Sequence, residues 1–289
     1  MKNQVYDYVT ERMLKALDEQ KVPWQKPWSR GEMPMNLLSK KAYRGINCFL
    51  LGFSPYASPY WLTAKQAKDK GGSVKKGEEG SMVVFYKTLV YGKNTDDEKK
   101  IPLLRYYKVF NTEQCEGIEI PAPKDKKTFV PIEEAARVVR EMPKRPNVNH
   151  GGNRAFYSSL GDSIGMPPAE NFISPEEYYS TIFHELVHST GHEGRLKRFD
   201  NTTDHIFGSQ SYSKEELVAE MGAAFLSAHL GIEQKTIDNS AAYIRGWHDK
   251  IASDPKLIVQ AANQAQKAVD FILNLPKEEV KPEAEKEAE

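Results

Sequence analysis

Cysteine is nearly absent from this chain. Cys48 and Cys115 are the only two in 289 residues, too few and too far apart for a disulfide framework or a paired-cysteine zinc site. Any metal centre must therefore be built from histidines and carboxylates. Long apolar runs are missing as well: no stretch approaches the roughly 18 apolar residues that suggest a membrane span. The N-terminal MKNQVYDYVTERMLKALDEQ has no secretory apolar core. These absences lead us to expect a cytoplasmic protein with no membrane partner. Net charge is absent too, since 40 Lys+Arg balance 40 Asp+Glu. That balance hides an asymmetry, because residues 1–127 carry 23 Lys+Arg against 15 Asp+Glu and the remainder is correspondingly acidic. A basic half can attract a polyanion such as nucleic acid; lysines that only solvate a surface would give the same count.

What is present is the composition of a globular protein, 39% hydrophobic and 28% charged, long enough for two ordinary domains. Residues 4–20 have apolar positions at helical spacing, and Pro23 and Pro27 bar that helix from continuing. A short helix is expected from Thr63, capped by its hydroxyl and closed by Gly71 and Gly72. SMVVFYKTLVYG and LLRYYKVFN read as strands around the hairpin loop GKNTDDEKK. The Pro/Lys stretch PAPKDKKTFVP, residues 121–131, marks a linker. Beyond it, helices are expected over 132–142, 175–190, 213–230, 235–252 and 255–274, with RAFYSSLGDSIGMP as a strand or hairpin. The last segment, KEEVKPEAEKEAE, has almost nothing to bury and reads as disordered.

TIFHELVHSTGHEGRL, residues 181–196, contains an HExxH pattern. On a helix, His184 and His188 share a face and can direct ring nitrogens at one ion, while Ile182, Phe183, Leu186 and Val187 anchor the other side. A catalytic zinc takes three protein ligands and leaves a position for water. In the HExxHxxGxxH variant the third histidine would fall at 194, which is Gly194. His192 suits an orienting or substrate-contacting role better than ligation. Downstream, YSKEELVAEMGAAFLSAHLG places Glu216 and Glu220 on one helical face, with small Ala223 and Ser227 continuing it. We expect Glu216 as the third ligand and Glu220 as the group that holds a histidine ring or contacts substrate. Ser213 and Glu216 also fit a capping box, in which Glu216 would bond only the first amides of the helix. Glu215 or Glu220 would then ligate instead. Glu185 is the expected general base for water activated by zinc, acting on a peptide carbonyl. Tyr157, Tyr212, His192 and His205 are candidates for stabilising the oxyanion.

The first half interleaves aromatics with cations, the two ingredients of single-strand binding. Lys40, Lys41, Arg44, Trp61, Lys65, Lys75 and Lys76 are the candidate DNA contacts, with VKKGEEG as a phosphate-contacting turn. Tyr106 and Tyr107, between Arg105 and Lys108, belong to the same pattern. A small domain must also fill its core, so any one of these aromatics can be packing instead.

PWQKPW, YRGIN, YWLTAKQA, GSVKKGEEG and KVFNTEQ, followed by FHELVHSTGHEGRL, YSKEELVAEMGAAFL and AAYIRGWHDKI, together resemble the ArdC-type antirestriction proteins of plasmids and other mobile elements. The resemblance runs to about residue 275. It implies an α+β chain in which a small α/β single-stranded-DNA-binding domain, residues 1–125, precedes a mainly helical zincin-like metallopeptidase domain, residues 126–275. Residues 276–289 would be an acidic tail. It also implies Zn2+ on His184, His188 and a glutamate of EELVAE, a protein or peptide substrate, and protection of incoming DNA from host restriction. Two rival expectations remain: a DNA-coating protein with a zinc-stabilised, non-catalytic domain, and a dedicated peptidase whose basic half recognises an acidic protein.

Overall fold

The structure, a computed structural model, describes residues 2–24, 33–52, 54–91, 99–121, 131–199, 210–232 and 241–276. The first apolar periodicity becomes helix α1 (Lys2–Asp18), which buries Val5, Val9, Met13 and Leu17. Strand β1 (Met35–Asn36) and helix α2 (Ile46–Gly52) follow. Next come β2 (Tyr60–Leu62), α3 (Ala64–Asp69) and β3 (Ser73–Val74). As its sequence suggested, α3 starts on Thr63, whose hydroxyl accepts from the Gln66 amide while the Gln66 side chain bonds back, a complete capping box. Strands β4 (Ser81–Tyr91) and β5 (Lys99–Asn111) pair antiparallel over their length, and β6 (Cys115–Glu116) pairs with β3. The sheet order is β1-β2-β5-β4, with β1 parallel to β2. Most of the expected hairpin loop and the expected linker, with nearly all of the acidic tail, lie outside the described residues.

The second half opens with α4 (Pro131–Glu141). A three-stranded sheet follows, made of β7 (Asn147–His150), β8 (Phe156–Ser158) and β9 (Ser163–Met166) in the order β7-β9-β8. RAFYSSLGDSIGMP is thus the β8–β9 hairpin, while β7 was not expected. Four α-helices follow among the described residues: α5 (Pro175–Ser189), α6 (Gln210–His229), α7 (Ala241–Ser253) and α8 (Leu257–Ile272). This is the expected α+β chain, a sheet-bearing first half and a mainly helical second half.

The two halves share their main core, although the first half also holds two small clusters of its own, around Leu62 and around Trp61. The largest apolar cluster joins Val5, Val9, Met13, Trp24 and Phe49 to Phe183, Leu186, Phe225, Trp247 and Ile258. Phe49 of α2 stacks on Phe225 of α6 with ring centroids 4.9 Å apart. The Thr10 hydroxyl donates to the Pro255 carbonyl at 3.1 Å, the Gly45 amide donates to the Gln266 side chain at 3.1 Å, and Arg44 pairs with Asp270 of α8.

Candidate metal centre

Helix α5 begins where its sequence stops competing with it. The Ser174 hydroxyl accepts from the Glu177 amide, Pro175 opens the first turn, and Glu176 and Glu177 sit where the helix dipole favours negative charge. Ile182, Phe183, Leu186 and Val187 are buried at 1% exposure or less, which turns His184 and His188 towards α6. Gly222 sets how closely α6 can approach. A Cβ at that position would meet the Val187 methyls at 2.7–2.8 Å, so glycine admits a contact no side chain could share. The sequence pointed to Ala223 and Ser227 for this close approach; both are buried, and Gly222, beside Ala223, is the residue that meets Val187.

Across that narrow crossing, His184, His188 and Glu216 each offer a ligand atom within 4.8 Å of the others. The two Nε2 atoms are 3.0 Å apart, and Glu216 lies 3.6 Å from His184 Nε2 and 3.5 Å from His188 Nε2. Ligands bound at about 2.0–2.1 Å in a tetrahedron are about 3.3–3.4 Å from each other, so these separations suit one shared ion. Two ring nitrogens facing each other at 3.0 Å also repel unless a proton or a cation lies between them. The donor set, two imidazoles and a carboxylate, suits a divalent metal.

Helix α6 starts at Gln210, so Ser213 lies inside its first turn rather than at its cap, and the Glu216 carboxylate is turned to the histidines. Glu215 does what was expected of Glu220. Its Oε1 is 3.4 Å from His188 Nδ1, and Arg198 grips both of its oxygens, from Nε at 3.0 Å and from Nη2 at 2.6 Å. Arg198 also donates to Thr190 Oγ1 and to the Val187 carbonyl. Its chain turns back across Gly191, where the Phe199 ring occupies the space a Cβ would need. Among the described residues Glu220 makes no hydrogen bond to a histidine; it accepts hydrogen bonds from Trp24 Nε1 and Tyr243 OH.

Burial would lower the proton affinity of the His188 ring, but hydrogen bonds to Glu215 and Glu216 outweigh it and lift the pKa to about 10. For Glu216 burial acts upward, and the hydrogen bonds from His184 and His188 bring its carboxyl well below the usual range. With no ion bound, His188 is therefore expected to carry a proton at neutral pH. Metal must displace it, because imidazole ligates only when deprotonated. Metal uptake is expected to release about one proton near pH 7, and apparent affinity to rise by up to about tenfold per pH unit from pH 6 to 8. Calorimetry in buffers of different ionisation enthalpy reads the proton; a pH-independent affinity would contradict the stored proton.

The other expected residues are placed as follows. Glu185 is 7% exposed, beside His184 on the helix. His192 stands outside the triad, with its Nδ1 accepting from the Gly194 amide at 3.1 Å. The Tyr157 hydroxyl is committed elsewhere: it donates to Asp162 at 2.9 Å and accepts from Arg195 at 3.3 Å. Burial first, and then the Asp162 carboxylate, push its pKa up. His205 and the Tyr212 side chain lie outside the described residues. In the first half Trp61 is 1% exposed, packed against Tyr56, so it cannot offer a face to a base. Arg44 is engaged by Asp270. Lys40, Lys41, Lys65, Lys75 and Lys76 are exposed; Lys40 lies over the Tyr60 ring, and Lys75 donates to the Glu113 carbonyl. No helix among the described residues is long and apolar enough to cross a membrane.

An HExxH helix set against a glutamate-bearing helix defines a zincin-like metallopeptidase domain, and residues 133–264 match that family. Residues 3–110 match the N-terminal domain of anti-restriction factor ArdC. The antirestriction ArdC protein from plasmid R388 is similar in structure. Its metal-free form is 37% identical with a TM-score of 0.72, covering 92% of this chain and 96% of that one. Its Mn(II)-bound form is 36% identical with a TM-score of 0.74, covering 93% and 97%. An uncharacterized protein, y4eC of Sinorhizobium fredii, is 30% identical over 93% of this chain and 91% of its own length. The chain belongs to the ArdC antirestriction family. Two Escherichia coli proteins named DNA primase TraC are each 33% identical, and the chain spans only 29% and 20% of their lengths.

Proposed function

We propose that this chain is a mobile-element antirestriction protein that binds single-stranded DNA through its first half and carries a zinc peptidase centre in its second. The convergence of His184, His188 and Glu216 beside Glu185 carries the catalytic part of this reading. The ArdC protein of R388 was crystallised with Mn(II); we read zinc as the resident ion here because two imidazoles and one carboxylate are a common catalytic zinc set. Bound there, the ion supplies an electrophile that activates water and polarises a peptide carbonyl. Glu185 accepts the proton of the attacking water and delivers it to the departing amine. Glu215, fixed by Arg198, holds the His188 ring in its working orientation.

For DNA, the exposed side chains of β5 replace Trp61 and Arg44 in the expected set. Tyr106 is 46% and Tyr107 36% exposed, on opposite faces of the strand. Tyr106 shares its face with Lys108, and Tyr107 with Arg105, so each ring has a cation beside it for a nucleotide backbone. Lys40, Lys41, Lys65, Lys75 and Lys76 complete the proposed basic surface. The test is protection of incoming DNA against restriction, together with single-strand and duplex affinity, for wild type, Glu185→Gln and Tyr106→Ala/Lys108→Ala. Loss of protection in Glu185→Gln with DNA affinity intact supports a peptidase that acts in protection. Full protection by that variant would sink the peptidase explanation. Unchanged single-strand affinity in the double variant would remove β5 from the interface.

A further inference from the structure

Glu220 lies one helical turn beyond Glu216 on α6, half-buried and outside the triad of donor atoms. Two donors from distant parts of the chain meet on one of its oxygens. The Trp24 indole N–H reaches Oε2 at 2.5 Å, and the Tyr243 hydroxyl donates to the same atom. The two donors are themselves 3.4 Å apart. Trp24 is fully buried and meets Trp247 edge-on at 5.7 Å, so its ring is fixed from a second side by α7. Even partial burial of a carboxylate is costly unless it is hydrogen-bonded, and this half-buried position beside the fully buried Trp24 ring could have been filled by an apolar side chain. What the cluster does that an apolar residue could not is fix α6 in rotation, at the turn next to Glu216.

We propose that Trp24, Glu220 and Tyr243 form a positioning cluster for the metal centre, through which the first half of the chain sets the orientation of the Glu216 ligand. The inference rests on the metal-centre reading above. The zincin-like half is then not self-sufficient, because one of the three groups belongs to the segment that follows α1. Partners that hydrogen-bond directly to a ligand are worth about 10- to 100-fold in metal affinity. This cluster acts one turn further away, and about 3- to 10-fold is expected.

The experiment uses the full chain and measures Zn2+ and Mn2+ affinity by chelator competition, together with the unfolding temperature of the metal-free protein. Tyr243→Phe deletes one oxygen and no core volume, so it carries the test. Affinity is expected to fall about 3- to 10-fold in this variant. Trp24→Phe is expected to show a similar loss. Glu220→Gln, which keeps an acceptor oxygen for both donors, should stay within about threefold of wild type. Wild-type affinity in Tyr243→Phe, even with a lowered metal-free unfolding temperature, would make the cluster purely structural and overturn the inference. A loss in Glu220→Gln as large as in Glu220→Ala would overturn it too, by showing that charge rather than hydrogen bonding matters. A wild-type chain that binds neither ion would remove the metal centre itself, an outcome distinct from both.

Discussion

Glu185→Gln is expected to lower hydrolysis of an internally quenched peptide library by about 10²- to 10⁴-fold, the span general base catalysis supplies. That corresponds to about 2.7–5.5 kcal/mol of barrier. Metal stoichiometry should stay at the wild-type value. The reason lies in the division of labour on α5: His184 and His188 face Glu216, while Glu185 stands outside that triad of donor atoms. Glutamine preserves the shape of a side chain that is 7% exposed, so the packing of α5 is retained. What it removes is the ability to take a proton from water. Activity within about threefold of wild type, in a variant shown to hold its metal, would exclude Glu185 as the base.

The second large effect separates two adjacent glutamates by how they fail. Glu216→Ala removes a proposed ligand, and its metal affinity is expected to fall by more than the 10- to 100-fold that outer partners are worth. The fold should survive, because Glu216 is still about one-quarter exposed. Glu215→Ala does the reverse. It strands the Arg198 guanidinium, whose side chain is 7% exposed, without the carboxylate that holds it. Breaking such a pair from one side costs about 3–5 kcal/mol. His188 Nδ1 also loses the carboxylate that holds it. Denaturant unfolding of the metal-free variants, set beside chelator competition, distinguishes the two. If Glu215→Ala proves as stable as wild type and loses metal more completely than Glu216→Ala, the two roles are exchanged.

Local patterns were legible wherever one segment determines its own structure. The helix over 4–20, the Thr63 cap, the two long strands and the HExxH helix all follow from spacing and capping chemistry. What escaped sequence reading depends on partners far along the chain. Trp61 carries the composition of a base-stacking residue, but its position in β2 of a covered sheet buries it. Arg44 looks like a free cation until α8 brings Asp270 to it. Strand β7 is NVNH, with Val148 as its one apolar residue, too little for a strand pattern, and it forms because β9 offers a parallel edge. The role of Glu215 depended on Arg198, a residue no pattern around HExxH would select. The capping-box alternative at Ser213 could not be dismissed from the sequence: helix periodicity does not say that α6 begins three residues earlier, and helix ends are what a pattern fixes least.

The common core of the two halves bears on how this unit is inherited. Cutting between them would bare Val5, Val9, Met13 and Leu17 of α1 on one piece and their partners on the other, so neither fragment could be recombined freely with foreign neighbours. The TraC primases match the whole of this chain or 96% of it while being several times longer. Both halves therefore recur side by side within those longer proteins, as a shared core requires.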